Sequence, residues 1–299
     1  MATKKVTRRA ISAQTARVST LLGGTPGRKL LNKPMPLEAE LKAQAKFRHK
    51  RWVERSKYTK AILAPLQKII AADEGSMKAL KALKGLRPGT IPKRTKLYSS
   101  PVRSHTRAGS ILTVRAAPYD DDWTAGNRPG LGDSTASKAG GGFEIWTRSS
   151  FGASVWAGAG VAVWFQPIAD NTFVRFGAFV PGECSWDDNS YGYAAHNSAF
   201  IGVLIESFDL RGNNHRIEQD RRLPLWNDGT GWYEEHGNND EFDVYFPNDT
   251  FFMATTARWY RVWTWASASC YADGGFWGTS EANAHLAFGT RFCVFEQFT

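Results

Sequence analysis

Hydrophobic residues recur at two different intervals along this chain, and the change falls close to residue 111. Before it the spacing is helical. Between Lys4 and Leu22 apolar side chains stand at Val6, Ala10, Ile11, Val18, Leu21 and Leu22, until the glycine-rich run 23–27 halts the pattern. A longer helix is predicted from about Pro36 through Leu37, Leu41, Ala45, Trp52, Ile62 and Leu66, with Pro65 expected to kink or divide it. A third, short helix opens on Ser76 as N-cap, carries Met77, Leu80 and Leu83, and closes at Gly85. Residues 1–85 therefore read as an amphipathic helical arm. Residues 86–110, with three prolines and six Lys or Arg, read as an extended basic linker.

Beyond Ile111 the spacing shortens to that of strands. Runs rich in Val, Ile, Phe, Tyr and Trp appear at 111–116, 143–147, 161–166, 173–180, 200–208, 244–246, 250–255, 259–266 and 286–298, separated by loops of Gly, Asn and Asp. No helical pattern intervenes, so residues 111–299 read as an all-β sandwich of jelly-roll type and the whole chain as α+β. Two runs are apolar on both faces. In 259–265, Trp259, Arg261, Trp263 and Trp265 oppose Tyr260, Val262 and Thr264; in 292–298, Phe292, Val294 and Phe298 oppose Cys293 and Phe295. Such strands need cover on both sides, from a second sheet and from an arm, loop or neighbouring molecule.

Charge divides at the same boundary. Residues 1–110 hold 26 Lys and Arg against 5 Asp and Glu, a net of +21, while the remainder holds 12 against 23, a net of −11, within an overall +10. Clustered cations gain counterion-release free energy from phosphates, so the arm points to nucleic acid or another polyanion. The residues placed to make such contacts are Arg48, Lys50, Arg51 and Arg55 on the central helix and Lys93, Arg94, Lys96, Arg103 and Arg107 on the linker. Trp52, beside Lys50 and Arg51, reads as the apolar anchor of its helix, with base stacking as the alternative.

The candidate chemistry is sparse. Three cysteines without a C-x-x-C form neither a disulfide framework nor a zinc site. The first residues carry no secretory pattern, and no run approaches the ~20 apolar residues of a membrane span, so the expected location is a cytosol or a virion assembled there. Six dispersed histidines accompany no nucleophile motif, and the glycines of 156–160 lack the lysine of a phosphate loop. Glu144, Glu206 and Glu296 interrupt apolar strands; a sandwich glycoside hydrolase would place its carboxylates so, but charges protecting sheet edges are the simpler expectation. An enzyme is not expected.

Eleven of the twelve tryptophans follow residue 120. Trp146, Trp156, Trp164, Trp263 and Trp265 lie in strand runs and are expected to fill the core. Trp123, Trp186, Trp226, Trp232 and Trp277 lie in loop-like stretches and are the candidates for a ligand or an interface. Three of these stretches, around 119–123, 186–189 and 226–241, are acidic enough to suggest Ca²⁺, though none has EF-hand spacing. Two functions follow from this set. One is a self-assembling, oligomeric structural protein, such as a capsid component of a virion, whose basic arm meets nucleic acid while the acidic β domain forms a surface. The layout is similar to that of many small icosahedral virus coat proteins, in which a basic arm precedes a jelly roll. Here, however, the cations are spread through amphipathic helices, which suits an ordered docking element. The other is a lectin-like module that binds carbohydrate and is anchored through the arm.

Overall fold

The computed structural model describes residues 33–72, 110–150, 152–190, 194–231, 234–274 and 280–298. Within them, one helix, α1 (Leu37–Ala72), precedes twelve strands: β1 (Ser110–Arg115), β2 (Asp121–Gly126), β3 (Gly132–Ser137), β4 (Gly142–Ser150), β5 (Ala153–Phe165), β6 (Thr172–Ser190), β7 (Ala195–Asp209), β8 (Arg216–Thr230), β9 (Glu235–Ala254), β10 (Arg258–Ala272), β11 (Ser280–Gly289) and β12 (Phe292–Phe298). The central helix of the arm is thus present, and it runs through Pro65 as one element instead of dividing there. The first and third predicted helices lie outside the described residues, as does most of the linker.

The strands form two antiparallel sheets. The seven-stranded one has the order β1-β12-β6-β11-β4-β3, with β9 on the other edge of β6; the five-stranded one has the order β2-β5-β10-β7-β8. β6 is long enough for β12 to pair with its first half and β11 with its second. The pairings nest: the β7–β8 hairpin lies inside the pair β6–β9, that inside β5–β10, and that inside β1–β12. β2, β3, β4 and β11 are additions to this rolled-up hairpin.

The sheets stack as a β-sandwich, and alternation along each strand sends one row of side chains inward. Phe165 stands at the centre of that core, 4.6 Å from the ring of Phe295, 5.2 Å from Tyr260 and 5.8 Å from Phe252. All three cysteines are buried as unpaired thiols, and burial pushes the Cys184 and Cys293 thiols up to about 12, which leaves them inert.

A second apolar layer lies outside the five-stranded sheet. Met35, Leu37, Leu41 and Ala45 pack there against Trp123, Trp156, Leu204, Trp263 and Trp265. Of the strand tryptophans expected in the sandwich core, Trp156, Trp263 and Trp265 are therefore buried on its outer side, beneath the helix, and Trp164 packs instead with Phe208 and Trp259. The glycines of the 156–160 stretch have their role here: a Cβ on Gly158 would lie 2.5 Å from the ring of Trp123, and one on Gly160 2.8 Å from the Cβ of Trp265. Gly202 flanks the same indole from β7, at 2.7 Å.

Candidate functional site

A buried cation joins the arm to the sheet. Arg261, on the outer face of β10, is fully buried. Its guanidinium donates to Glu206 Oε1 at 2.6 Å, to Asp121 Oδ2 at 3.2 Å, and to the main-chain carbonyls of Lys33 at 2.7 Å and Pro34 at 3.1 Å, just ahead of α1. The rings of Trp164 and Trp263 lie 5.0 and 4.9 Å from its centre, and Trp263 Nε1 donates to the same Glu206 oxygen. Burial holds the Asp121 carboxyl above its usual range, against the hydrogen bond from Trp164 and the charge of Arg261. Glu206 is therefore no edge charge: it lies in a central strand, fully buried, and its second oxygen meets His215 Nε2 at 2.9 Å. Glu296 is likewise buried and paired, with Arg175. Glu144 meets His285 at 2.7 Å. Glu206 faces outward from the opposite sheet to the other two, so it forms no glycosidase pair with either of them.

Farther along α1, Arg48 donates to Ser198 Oγ at 2.8 Å and lies 4.9 Å over the ring of Phe200. It faces the sheet rather than solvent, because it follows Leu41 and Ala45 on the docked stripe. Trp52 packs against His196, with ring centres 4.5 Å apart and the planes tilted by 34°, as a helix anchor. Lys42, Lys46, Lys50, Arg51 and Lys57 are exposed on the remaining faces. Arg55 lies on the same helix but its side chain, like Lys93, Arg94, Lys96, Arg103 and Arg107, is outside the described residues.

The loop tryptophans are not in loops where the structure describes them. Trp123 lies on β2, is only 7% exposed, and donates to Glu38 of the helix at 3.1 Å. Trp226 is buried on β8, donating to Asn197 Oδ1 at 3.1 Å and stacking on Trp186 at 5.9 Å. Trp232 and Trp277 are outside the described residues. The acidic stretches are spent on internal bonds too: Asp120 accepts from the Trp164 main-chain N–H and from Arg115, while Asp187 accepts from Asn283. Among the described residues no group of three or more His, Cys, Asp and Glu is placed to hold a metal ion, and no helix is long and apolar enough to cross a membrane.

The exposed aromatic platform is instead on a strand. Trp146 of β4 is 39% exposed and stacks on His285 of β11 at 5.4 Å with 16° between the planes. They line an open cleft of about 310 Å³ on the outer face of the seven-stranded sheet, with Asp133, Arg148, Asp187 and Asn283 supplying its polar groups. Asn283 Nδ2 donates to Asp187 Oδ2 at 2.9 Å, and Arg148 Nε donates to Glu281 at 2.7 Å. Burial raises the Asp187 carboxyl, opposed by the Asn283 bond. The alternation of β4 carries the missed signal: Phe143, Ile145 and Thr147 point inward, so Trp146 between them must point out.

No family model matches this chain, and no curated protein matches it. Among solved structures, the carbohydrate-binding module TmCBM61 in complex with β-1,4-galactotriose is 11% identical, with a TM-score of 0.20, over 57% of this chain and 86% of that one. A second carbohydrate-binding module of the β-sandwich superfamily is 8% identical, with a TM-score of 0.20, over 64% and 59%. The infectious bursal disease virus Gx strain structure is 12% identical, with a TM-score of 0.18, over 68% of this chain and 40% of that one. These likenesses are too faint to bear on function, and the β-sandwich rests on this chain's own geometry.

Proposed function

We propose that this chain is a non-enzymatic assembly protein whose β-sandwich is a jelly roll and whose basic arm engages nucleic acid or another polyanion, as a capsid-like component of a virion. The observation that carries the reading is the nested pairing β7–β8 within β6–β9, β5–β10 and β1–β12, which is the strand order of an eight-stranded jelly roll. The arm that precedes it adds support, since its docked helix turns Lys46, Lys50 and Arg51 to solvent. Size-exclusion chromatography with light scattering, read at 260 and 280 nm in low and high salt, tests it. A large species carrying nucleic acid and dissociating with salt is expected. A nucleic-acid-free monomer at every salt concentration refutes the reading.

The Trp146 cleft favours a second reading, a glycan site. A flat indole beside carboxylate, amide and guanidinium groups suits the apolar faces and hydroxyl edges of sugar rings, and the cleft has the volume of a small-ligand site. Glycan-array binding that is lost in Trp146→Ala, with the fold intact, is the expected result; an array without hits rejects a glycan.

A further inference from the structure

The outer face of the seven-stranded sheet has two halves, and the cleft occupies only one. The other half is apolar across four adjacent strands. Leu112 and Val114 of β1, Val294 and Phe298 of β12, Phe173 of β6, and Phe251 and Met253 of β9 all point outward there, by the alternation of strands whose inward partners are Thr113, Phe295, Val174 and Phe252. Leu112, Val114, Phe173, Phe251 and Met253 are 36 to 55% exposed. Phe173 stacks on Phe251 at 5.2 Å and touches Phe298 at 6.1 Å, so the patch is already one ordered aromatic surface. Its charged residues, Arg175 and Glu296, neutralise each other at the centre, and Ser110 Oγ donates to Glu296 at 2.9 Å.

We infer that this half-face is where a second copy of the chain docks, sheet face against sheet face. The inference rests on the assembly reading and deepens it by naming the surface. Charge selects the occupant. The patch presents no net charge on a chain of net +10, so an identical patch meets it without burying an unpaired ion. The chain's own residues 1–32 carry seven Lys and Arg and no carboxylate, and laying them here would bury cations on an apolar surface. The other sheet shows the same requirement met internally, since α1 covers its apolar outer face. Four strands at ~4.8 Å spacing and seven residues at ~3.4 Å give a footprint of roughly 450 Å² per copy, which fits a weak contact repeated in an assembly better than an obligate dimer.

Sedimentation velocity of the full chain, treated with nuclease and held in high salt, removes polyanion-driven assembly and isolates this contact. The wild type is expected to shift from monomer to dimer or higher species as concentration rises, and Val114→Arg/Phe173→Arg to stay monomeric with an unchanged circular dichroism spectrum. A wild type that stays monomeric overturns the inference, as does a double variant that associates like the wild type. Salt-sensitive particles formed on adding nucleic acid would then leave the assembly reading standing and remove only this surface; their absence would remove both. Binding of the wild type to phosphatidylcholine vesicles, lost in the double variant, would assign the patch to lipid and also overturn it. Should the double variant not fold, oxidative footprinting of the wild type decides: oxidation of Leu112, Phe173 and Met253 is expected to fall with rising concentration, and a constant rate overturns the inference.

Discussion

Arg261 is the residue on which the arm and the sheet depend together. It interrupts a row of buried tryptophans on β10, yet each of its three donor nitrogens has a partner, two carboxylates and two carbonyls in all. Arg261→Ala would leave Glu206 and Asp121 buried without their cation, and a loss of about 3–5 kcal/mol is expected in urea denaturation. Arg261→Met combined with Glu206→Gln and Asp121→Asn should recover much of it, because both buried negative charges disappear with their partner. Asp188 poses the opposite problem. Both its oxygens are buried without a hydrogen-bond partner, and burial, with help from Asp228 and Asp187, pushes its carboxyl up to about 9 from the usual 3.8. The folded chain then keeps a proton that the unfolded chain releases above pH 4. Folding stability should fall as pH rises from about 4 to 9, by a few kcal/mol over that window. Asp188→Asn should flatten the decline when melting temperatures are compared at pH 5 and pH 8.5. An equal decline in both proteins would mean that Asp188 does not hold the proton.

Helix α1 and strand β10 are the elements that explain one another. Alternation in 259–265 already required cover on both faces, and the helical stripe at Leu37, Leu41 and Ala45 required something to lie on; the structure joins these two needs. Leu41→Glu should therefore detach the helix without unfolding the sandwich. The measurable signs are tryptic cleavage after Lys42 or Lys46 and a red shift in the fluorescence of Trp123, Trp156, Trp263 and Trp265; unchanged emission would argue against a separable arm. Much of this was legible in the sequence, because periodicity reports which positions are apolar; the strand count was not, since β2, β3 and β8 fall in no predicted run, the runs 244–246 and 250–255 form one strand, and 286–298 spans two. The pairing was not, since nesting joins strands as distant as β1 and β12. The site was legible in part. Acidic, tryptophan-bearing stretches read as loops, but Trp123 and Trp226 lie in strands, where their indole N–H groups reach Glu38 and Asn197. Trp146 looked like core because its run is apolar, and only its register between Phe143 and Thr147 turns it outward.

At the scale of the molecule, the basic and acidic halves are not simply strung together, because part of the basic half is built into the β domain. Charge and docking can therefore be separated by truncation. Removing residues 1–32 takes away seven cations and leaves Lys33, Pro34 and Met35 to meet the sheet. That form should keep the melting temperature of the full chain, while its nucleic-acid affinity falls and the slope of log K against log salt becomes shallower, since the slope scales with the phosphates neutralised. Removing residues 1–53 also takes Leu37, Leu41, Ala45, Arg48 and Trp52, and exposes the apolar face of Trp123, Trp156, Trp263 and Trp265. This second form should melt lower and aggregate even in high salt, where electrostatic attraction is screened and the apolar contact is not. Melting temperatures equal to the full chain's in both truncations would mean that the helix is only a tether; a loss already present in the first would mean that residues 1–32 belong to the fold and not only to its charge.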